Sequence, residues 1–242
     1  MVNIEDISRF QELIDNSKKI VFFGGAGVST ESGIPDFRSQ DGLYNLKYKY
    51  PPEEIISHTF FVHRTEEFYE FYKDKMIIEG AKPNITHYAL AKLEEEGKLI
   101  AVVTQNIDGL HQMAGSKKVY ELHGSVLRNY CTRCHKFYDV NYIKNSNGIP
   151  ICECGGIIKP DVVLYEEGLD DKVITGALNA IESADLLIIA GTSLVVQPAA
   201  SLINYYNGKD VVLINKSITP ADHRATLVFH EALGDVFSRL KI

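Results

Sequence analysis

Short runs of β-branched and apolar residues recur along this chain, and each runs straight into glycine or polar sequence. "KIVFFGGAGVS" (19–29), "KLIAVVTQN" (98–106), "DLLIIAGTS" (185–193) and "DVVLINKS" (210–217) share the design. Runs this short and this uniformly apolar suit strands buried on both faces. Between them lie helical patterns. Ile4, Ile7, Phe10, Leu13 and Ile14 recur at helical spacing, "NITHYALAKLEEEG" ends a helix near Glu96 before Gly97, and "DKVITGALNAIES" (171–183) repeats the arrangement. "NYYNG" (204–208) supplies a helix end and turn, and "EALGDVFSRL" (231–240) a closing helix. Helices alternating with buried strands predict an α/β fold, a parallel sheet covered on both faces.

Two stretches interrupt the alternation. Residues 39–82 are rich in Tyr, Phe, Glu and His, carry a turn at "YPPEE" (50–54), and read as helical without a buried strand. Residues 126–160 hold all four cysteines and little core. A chain of 242 residues fits one large domain with a smaller insert. The expected division is therefore a large domain of 1–38, 83–125 and 161–242, and a small one of 39–82 and 126–160.

Net charge narrows the partners. At −7 the chain lacks the basic surplus of a nucleic-acid binder, while a basic, lysine-rich peptide remains compatible. No apolar run reaches the roughly 18 residues of a membrane span. "MVNIEDISRFQELIDN" has neither the basic nor the apolar region of a signal peptide, so the expected compartment is the cytoplasm. Oligomeric state is not legible.

In an open parallel sheet, ligands bind beyond the carboxyl ends of the strands. Here those ends read "GGAGVSTESG" (24–33), "TQNIDG" (104–109), "GTS" (191–193) and "NKS" (215–217), which would line a common crevice. Gly25 and Gly27 would let backbone N–H groups approach a pyrophosphate, with Ser29 and Thr30 adding hydroxyls. The third glycine of a dinucleotide fingerprint would fall at Thr30, and no acidic residue clearly ends a second strand, so a plain tight turn competes with this reading. Cys131 and Cys134, then seventeen residues, then Cys152 and Cys154, present two knuckles suited to tetrahedral zinc. Four free or buried thiols are the alternative, with His135 or Glu153 as substitute ligands. Four thiolates leave no open coordination position, so such a zinc would be structural. His123, in "YELHGSV" (120–126), is a catalytic base or a satisfied structural histidine.

Taken together, "GAGVSTESGIPDFR" (25–38), "TQNIDGLH" (104–111) and "ELHG" (121–124) resemble the sirtuin family of NAD-dependent protein lysine deacylases, and the cysteine pairs and "GTSLVVQPAA" (191–200) extend the resemblance over essentially the whole chain. The resemblance implies a Rossmann-like domain, a small domain made of a helical module and a zinc ribbon, and a site between them. It implies that Gly25, Ala26, Gly27 and Thr30 hold the NAD phosphates, that Arg38 supports the pyrophosphate and the loop from about 34 to 50, and that Phe37 shields the nicotinamide pocket. Gln105 and Asn106 would meet the nicotinamide-side ribose and an ordered water, and Ile107 and Asp108 the carboxamide. Gly191, Thr192, Ser193 and Asn215 would bind the adenosine half, with Asp235 near the adenine. Asn106 and His123 would be the catalytic pair, His123 as general base.

The implied reaction consumes NAD. Nicotinamide leaves, the acetyl oxygen of a substrate lysine captures the sugar carbon, and free lysine and O-acetyl-ADP-ribose follow. Acetylated lysine peptides would lie extended between "PDVVLYEE" (160–167) and "GTSLVV" (191–196). Relatives often read Phe-Gly-Glu where this chain has Tyr165-Glu166-Glu167, so Glu166 either favours basic peptides or is a solvated loop charge. "SQDGLYNLKYKY" (39–50) has tyrosines but no arginine, which points to acetyl, or to longer apolar acyl groups, over acidic ones. ADP-ribosyl transfer, NAD-linked oxidoreduction and a non-enzymatic zinc-ribbon module are the competing readings.

Overall fold

The structure is a computed structural model and describes residues 2–36 and 49–242. Phe37, Arg38 and most of the tyrosine-containing loop named above lie outside the described residues.

Six parallel strands form the main sheet in the order β3-β2-β1-β7-β8-β9. They are β1 (Ile20–Gly24), β2 (Leu99–Thr104), β3 (Val119–Glu121), β7 (Leu186–Ala190), β8 (Asp210–Ile214) and β9 (Leu227–Phe229). All five residues of β1 and of β7 are buried, as the continuous apolar runs require. Alternate side chains serve opposite faces. Ile20 and Phe22 join Phe10 and Ile14 of α1 (Ile4–Asn16), Leu90 and Leu93 of α5 (Ile85–Glu95) and Val236 of α9 (Leu233–Phe237). Val21 and Phe23 join Ala177 and Ile181 of α8 (Asp171–Ser183) and Leu202 of the 3₁₀ turn Ala199–Tyr205.

Helix boundaries follow their caps. Asn3 accepts the Glu5 N–H, Asp170 accepts those of Lys172 and Val173, and Gly97 beyond α5 takes φ = +74°. Ile4, expected on the buried stripe of α1, is 75% exposed. The closing helix shrinks to five residues, and the turn before β8 is 3₁₀ rather than α.

The second sheet is antiparallel, in the order β5-β4-β6, from β4 (Gly124–Cys131), β5 (Phe137–Asp139) and β6 (Ile158–Val162). It shares a third core with three short helices, α2 (Pro52–Ile55), α3 (His58–His63) and α4 (Thr65–Phe71). Phe61, Phe68, Tyr69 and Tyr72 pack there edge-on or stacked, with Cys131, Cys152 and Ile158 in the same cluster. β4 starts three residues after β3 ends, so His123 stands where the chain leaves the large sheet for the small one. Gly124 is obligatory at that junction: its φ is +74°, and a Cβ would lie 1.9 Å from the Asp161 carbonyl oxygen.

Candidate active site

The strand order places β1 between β2 and β7, with the chain moving outward to opposite edges from there. The carboxyl ends of such neighbours open a crevice at the switch point. A cleft of about 1010 Å³ occupies that position. Its walls include Gly25, Ala26, Gly27 and Thr30 after β1; Gln105, Asn106, Ile107 and Asp108 after β2; His123 after β3; Gly191, Thr192 and Ser193 after β7; and Asn215 after β8. Residues 163–167, beyond β6, close the opposite side. Asp235 is exposed on α9 and does not line the cleft; Ala232 and Leu233 just before it do.

The glycine segment turns twice in 3₁₀ form, Ala26–Val28 and Thr30–Ser32, instead of opening a long helix. Thr30 therefore stands where a helix-packing glycine is not needed, and its hydroxyl donates to the Gly27 carbonyl at 3.0 Å. Gly27 and Gly191 meet backbone to backbone: the Gly27 N–H donates to Gly191 O at 2.8 Å, and a Cβ on Gly27 would come within 2.7 Å of Gly191 Cα. The β1 and β7 ends thus approach so closely that only backbone and small groups face the crevice, a surface that a pyrophosphate can reach.

Polar side chains after β2 are wired to each other. The Ser29 hydroxyl donates to Asp108 Oδ2 at 2.7 Å and accepts from Asn106 Nδ2 at 3.0 Å. Asp108 Oδ1 accepts the Leu110 N–H at 2.9 Å. Gln105 Nε2 donates to the Thr192 hydroxyl at 3.0 Å, which links the β2 and β7 ends. Asn106 is 8% exposed, so its amide is fixed in a mostly dry wall. Ser29 is the member that motif reading valued least, noted only as a hydroxyl. Its part as hub between residues 77 and 79 positions away in sequence is a tertiary fact.

His123 Nδ1 lies 3.0 Å from the Gln105 carbonyl oxygen. A carbonyl only accepts, so Nδ1 carries the proton and Nε2 is left as the acceptor. Burial lowers the pKa of this imidazole, partly offset by the Gln105 carbonyl. The ring is held as a neutral base at the cleft wall.

Glu166 is an exposed loop charge, as one of the two expectations had it, but it also carries a structural contact. Its carboxylate accepts the Thr59 N–H at 2.8 Å and the Thr59 hydroxyl at 2.7 Å, capping α3 while its own φ is +76°. Those Thr59 donors hold its pKa below the usual carboxylate range. Glu167 likewise takes His58 Nδ1 at 2.8 Å, Lys159 Nζ at 3.0 Å and the Leu164 N–H at 2.9 Å. Both acids staple the 163–167 segment to the small lobe, beside a parallel bridge between Ser57 and Tyr165.

The four cysteines converge. Their sulfurs lie within 4.8 Å of one another, with Cys131 to Cys154 at 3.4 Å and Cys134 to Cys152 at 3.6 Å. Four sulfurs about 2.3 Å from a tetrahedral zinc stand roughly 3.8 Å apart, so the set fits that ion. Neighbouring donors favour thiolate: the Arg133 N–H lies 3.3 Å from Cys131 Sγ and the Tyr138 hydroxyl 3.1 Å from Cys152 Sγ. Burial opposes ionisation at Cys131, but the N–H groups of Cys134 and Arg133 outweigh it and bring the thiol down to about 6. His135 and Glu153 are not part of this cluster.

Comparison with known proteins follows the same lines. The Sir2 family model matches residues 25–198. This chain belongs to the Sir2 family. An NAD-dependent protein deacetylase of Clostridium perfringens is 63% identical over 240 residues, covering 98% of both chains, and one of Clostridium acetobutylicum is 59% identical over the same length. Among solved Sir2 structures, one described with a p53 peptide and NAD+ aligns with a TM-score of 0.86 at 41% identity, covering 96% of each chain. Another, described with a deacetylated p53 peptide and 3′-O-acetyl ADP ribose, reaches 0.88 at 42% over the same coverage. Sir2 membership accords with both the parallel sheet and the cysteine cluster. Among the described residues, no helix is long and apolar enough to cross a membrane.

Proposed function

We propose that this protein removes acetyl groups from lysine side chains of proteins, consuming NAD and releasing nicotinamide, O-acetyl-ADP-ribose and free lysine. The observation that carries the reading is His123, its Nδ1 proton committed to Gln105 and its Nε2 free, in the same cleft as the glycine turn.

In this reading Gly25, Ala26, Gly27 and Thr30 bind the phosphates, while Gly191, Thr192, Ser193 and Asn215 hold the adenosine half. Gln105, Asn106, Ile107 and Asp108 orient the reacting ribose and carboxamide through hydrogen bonds from mostly neutral groups, which is catalysis by positioning. His123 takes a ribose hydroxyl proton at Nε2 as general base. The Cys131, Cys134, Cys152 and Cys154 thiolates hold zinc, which shapes the small lobe and takes no part in chemistry. The substrate peptide runs along residues 163–167, whose Tyr165 N–H and carbonyl are already paired with Ile56 and His58 on one edge. Backbone pairing on the other edge would tolerate varied side chains.

We read 1–38, 83–125 and 161–242 as the cofactor-binding domain and 39–82 with 126–160 as the small one, β4 and β6 crossing those limits at their ends. The cytoplasm, where thiols stay reduced, suits the cluster, and neither nucleic acid nor a membrane is required as a partner.

The test is an acetylated peptide with and without NAD, the products read by mass spectrometry. Loss of acetyl with nicotinamide release is expected. Gain of ADP-ribose on the peptide would instead identify an ADP-ribosyltransferase, and absence of any NAD consumption would refute the reading.

A further inference from the structure

Asn84 begins α5 and faces two ways. Its side-chain oxygen accepts the Thr86 N–H at 3.0 Å, and His87 Nδ1 accepts the Asn84 N–H at 3.2 Å, a reciprocal cap. Its amide nitrogen points away from the helix, to the Val28 carbonyl at 2.8 Å and the Ser32 hydroxyl at 3.0 Å. Those two residues flank Ser29 and Thr30 in the cleft wall. Behind Asn84, the His87 and His111 rings lie 4.7 Å apart at 60°, 0% and 1% exposed. His111 belongs to α6 (Leu110–Ala114), and Asp108, which takes the Leu110 N–H, also takes the Ser29 hydroxyl. The turn is therefore gripped from two helices, and an imidazole pair keys those helices together.

The pair is neutral. His87 Nδ1 accepts an N–H, so its proton sits on Nε2. Neither that nitrogen nor either nitrogen of His111 has a hydrogen-bond partner among the described residues. A charge here would lack a hydrogen-bond partner, with only the Asp108 carboxylate to offset it in part. Burial pushes His87 down to about 4, against the pull of Asp108, and burial with His87 nearby pushes His111 down to about 3.

We propose that Asn84 is a positioning residue for the dinucleotide, setting the shape of the 28–32 turn through Val28 and Ser32 while His87 and His111 hold its helix in place. The inference rests on the reading of the cleft as the NAD site. It goes beyond capping, because capping uses only the side-chain oxygen.

Asn84→Ser separates the two roles. Serine caps helices about as well as asparagine but is too short to reach the Val28 carbonyl. Losing a half-buried hydrogen bond of this kind predicts a KM for NAD raised about tenfold, with kcat within about threefold and a melting temperature lowered by no more than about 2–4 °C. Asn84→Asp, assayed across ionic strength, is the second arm: repulsion of phosphate fades with salt, whereas the lost donor does not, so a raised KM should persist at high salt. A wild-type KM in Asn84→Ser, or a loss confined to kcat, overturns the inference. Failure of both variants to fold also overturns it, since Asn84 would then serve stability alone. Calorimetric titration with ADP-ribose reads the same change without turnover. An inactive wild type whose ADP-ribose affinity still drops tenfold in Asn84→Ser would sink the proposed reaction and leave this inference standing.

Discussion

Every residue of β1 and β7 is buried, and the helices on both faces close over them. In the small sheet, β5 reads exposed, buried, exposed, and β6 alternates buried with half-buried residues. One sheet has apolar packing on both of its faces. The other has one face to bury, and two of its four cysteines, Cys131 and Cys152, sit inside the aromatic cluster that fills it. The difference shows where each lobe draws its order from. The large lobe can spend its strand ends on amides, hydroxyls and a carboxylate because its middle is secure, whereas the small lobe relies on a cross-link at its core.

Experiments can break that contrast, beginning with the largest effect. His123→Ala should lower kcat by about 10²- to 10⁴-fold while the melting temperature stays near wild type, because the ring is a wall of the cleft and not part of any of the three cores. A mutant with near-normal turnover would remove His123 from the mechanism. Next comes the cross-link. Chelation, or Cys131→Ala, should make residues 126–160 sensitive to protease before the parallel sheet loses its far-ultraviolet signal. Loss of both together would mean that the lobes share one cooperative unit, and a metal-free protein that stays protected would refute the zinc assignment.

Acid should single out the large lobe. His87 and His111 titrate near 4 and 3 when folded, against about 6.5 unfolded, so the unfolded chain binds their protons first. Their contribution is complete above pH 6.5 and is lost as pH falls toward 4, at about 1.4 kcal/mol per unit for each group. Urea titrations of wild type and His111→Phe should diverge in slope over that window, and losses common to both, including any at the cysteines, cancel in the difference. Parallel slopes would show that His111 is not the neutral buried group described here. The smallest effect belongs to the seam between the lobes. Glu166→Gly keeps the positive φ but loses both bonds to Thr59, and should raise peptide KM about two- to fivefold for all peptides alike. A rise limited to basic peptides would return Glu166 to the role of a charge that selects substrate.

Much of this was legible before any coordinates. Residues 20–24 and 186–190 are short and wholly apolar, as strands buried on both faces are, and the polar residues that follow them were expected at one edge of a parallel sheet. Two knuckles of cysteine announced a metal. Edge strands were not legible: Val119–Glu121 and Leu227–Phe229 are three residues each, too brief for a pattern. Nor did the 231–240 segment reveal that its helix would last only five residues.

What the sequence by itself determined is that polar and glycine-rich strand ends at 24–33, 104–109, 191–193 and 215–217 gather at one edge of the sheet; the place of His123 among them came from the family resemblance, not from strand period. Only the tertiary structure decided how those groups are wired. Ser29 became the partner of Asn106 and Asp108, Glu166 a cap for α3, and Asn84 a clamp on Val28, because each bond joins segments tens of residues apart whose separation in space no local pattern encodes.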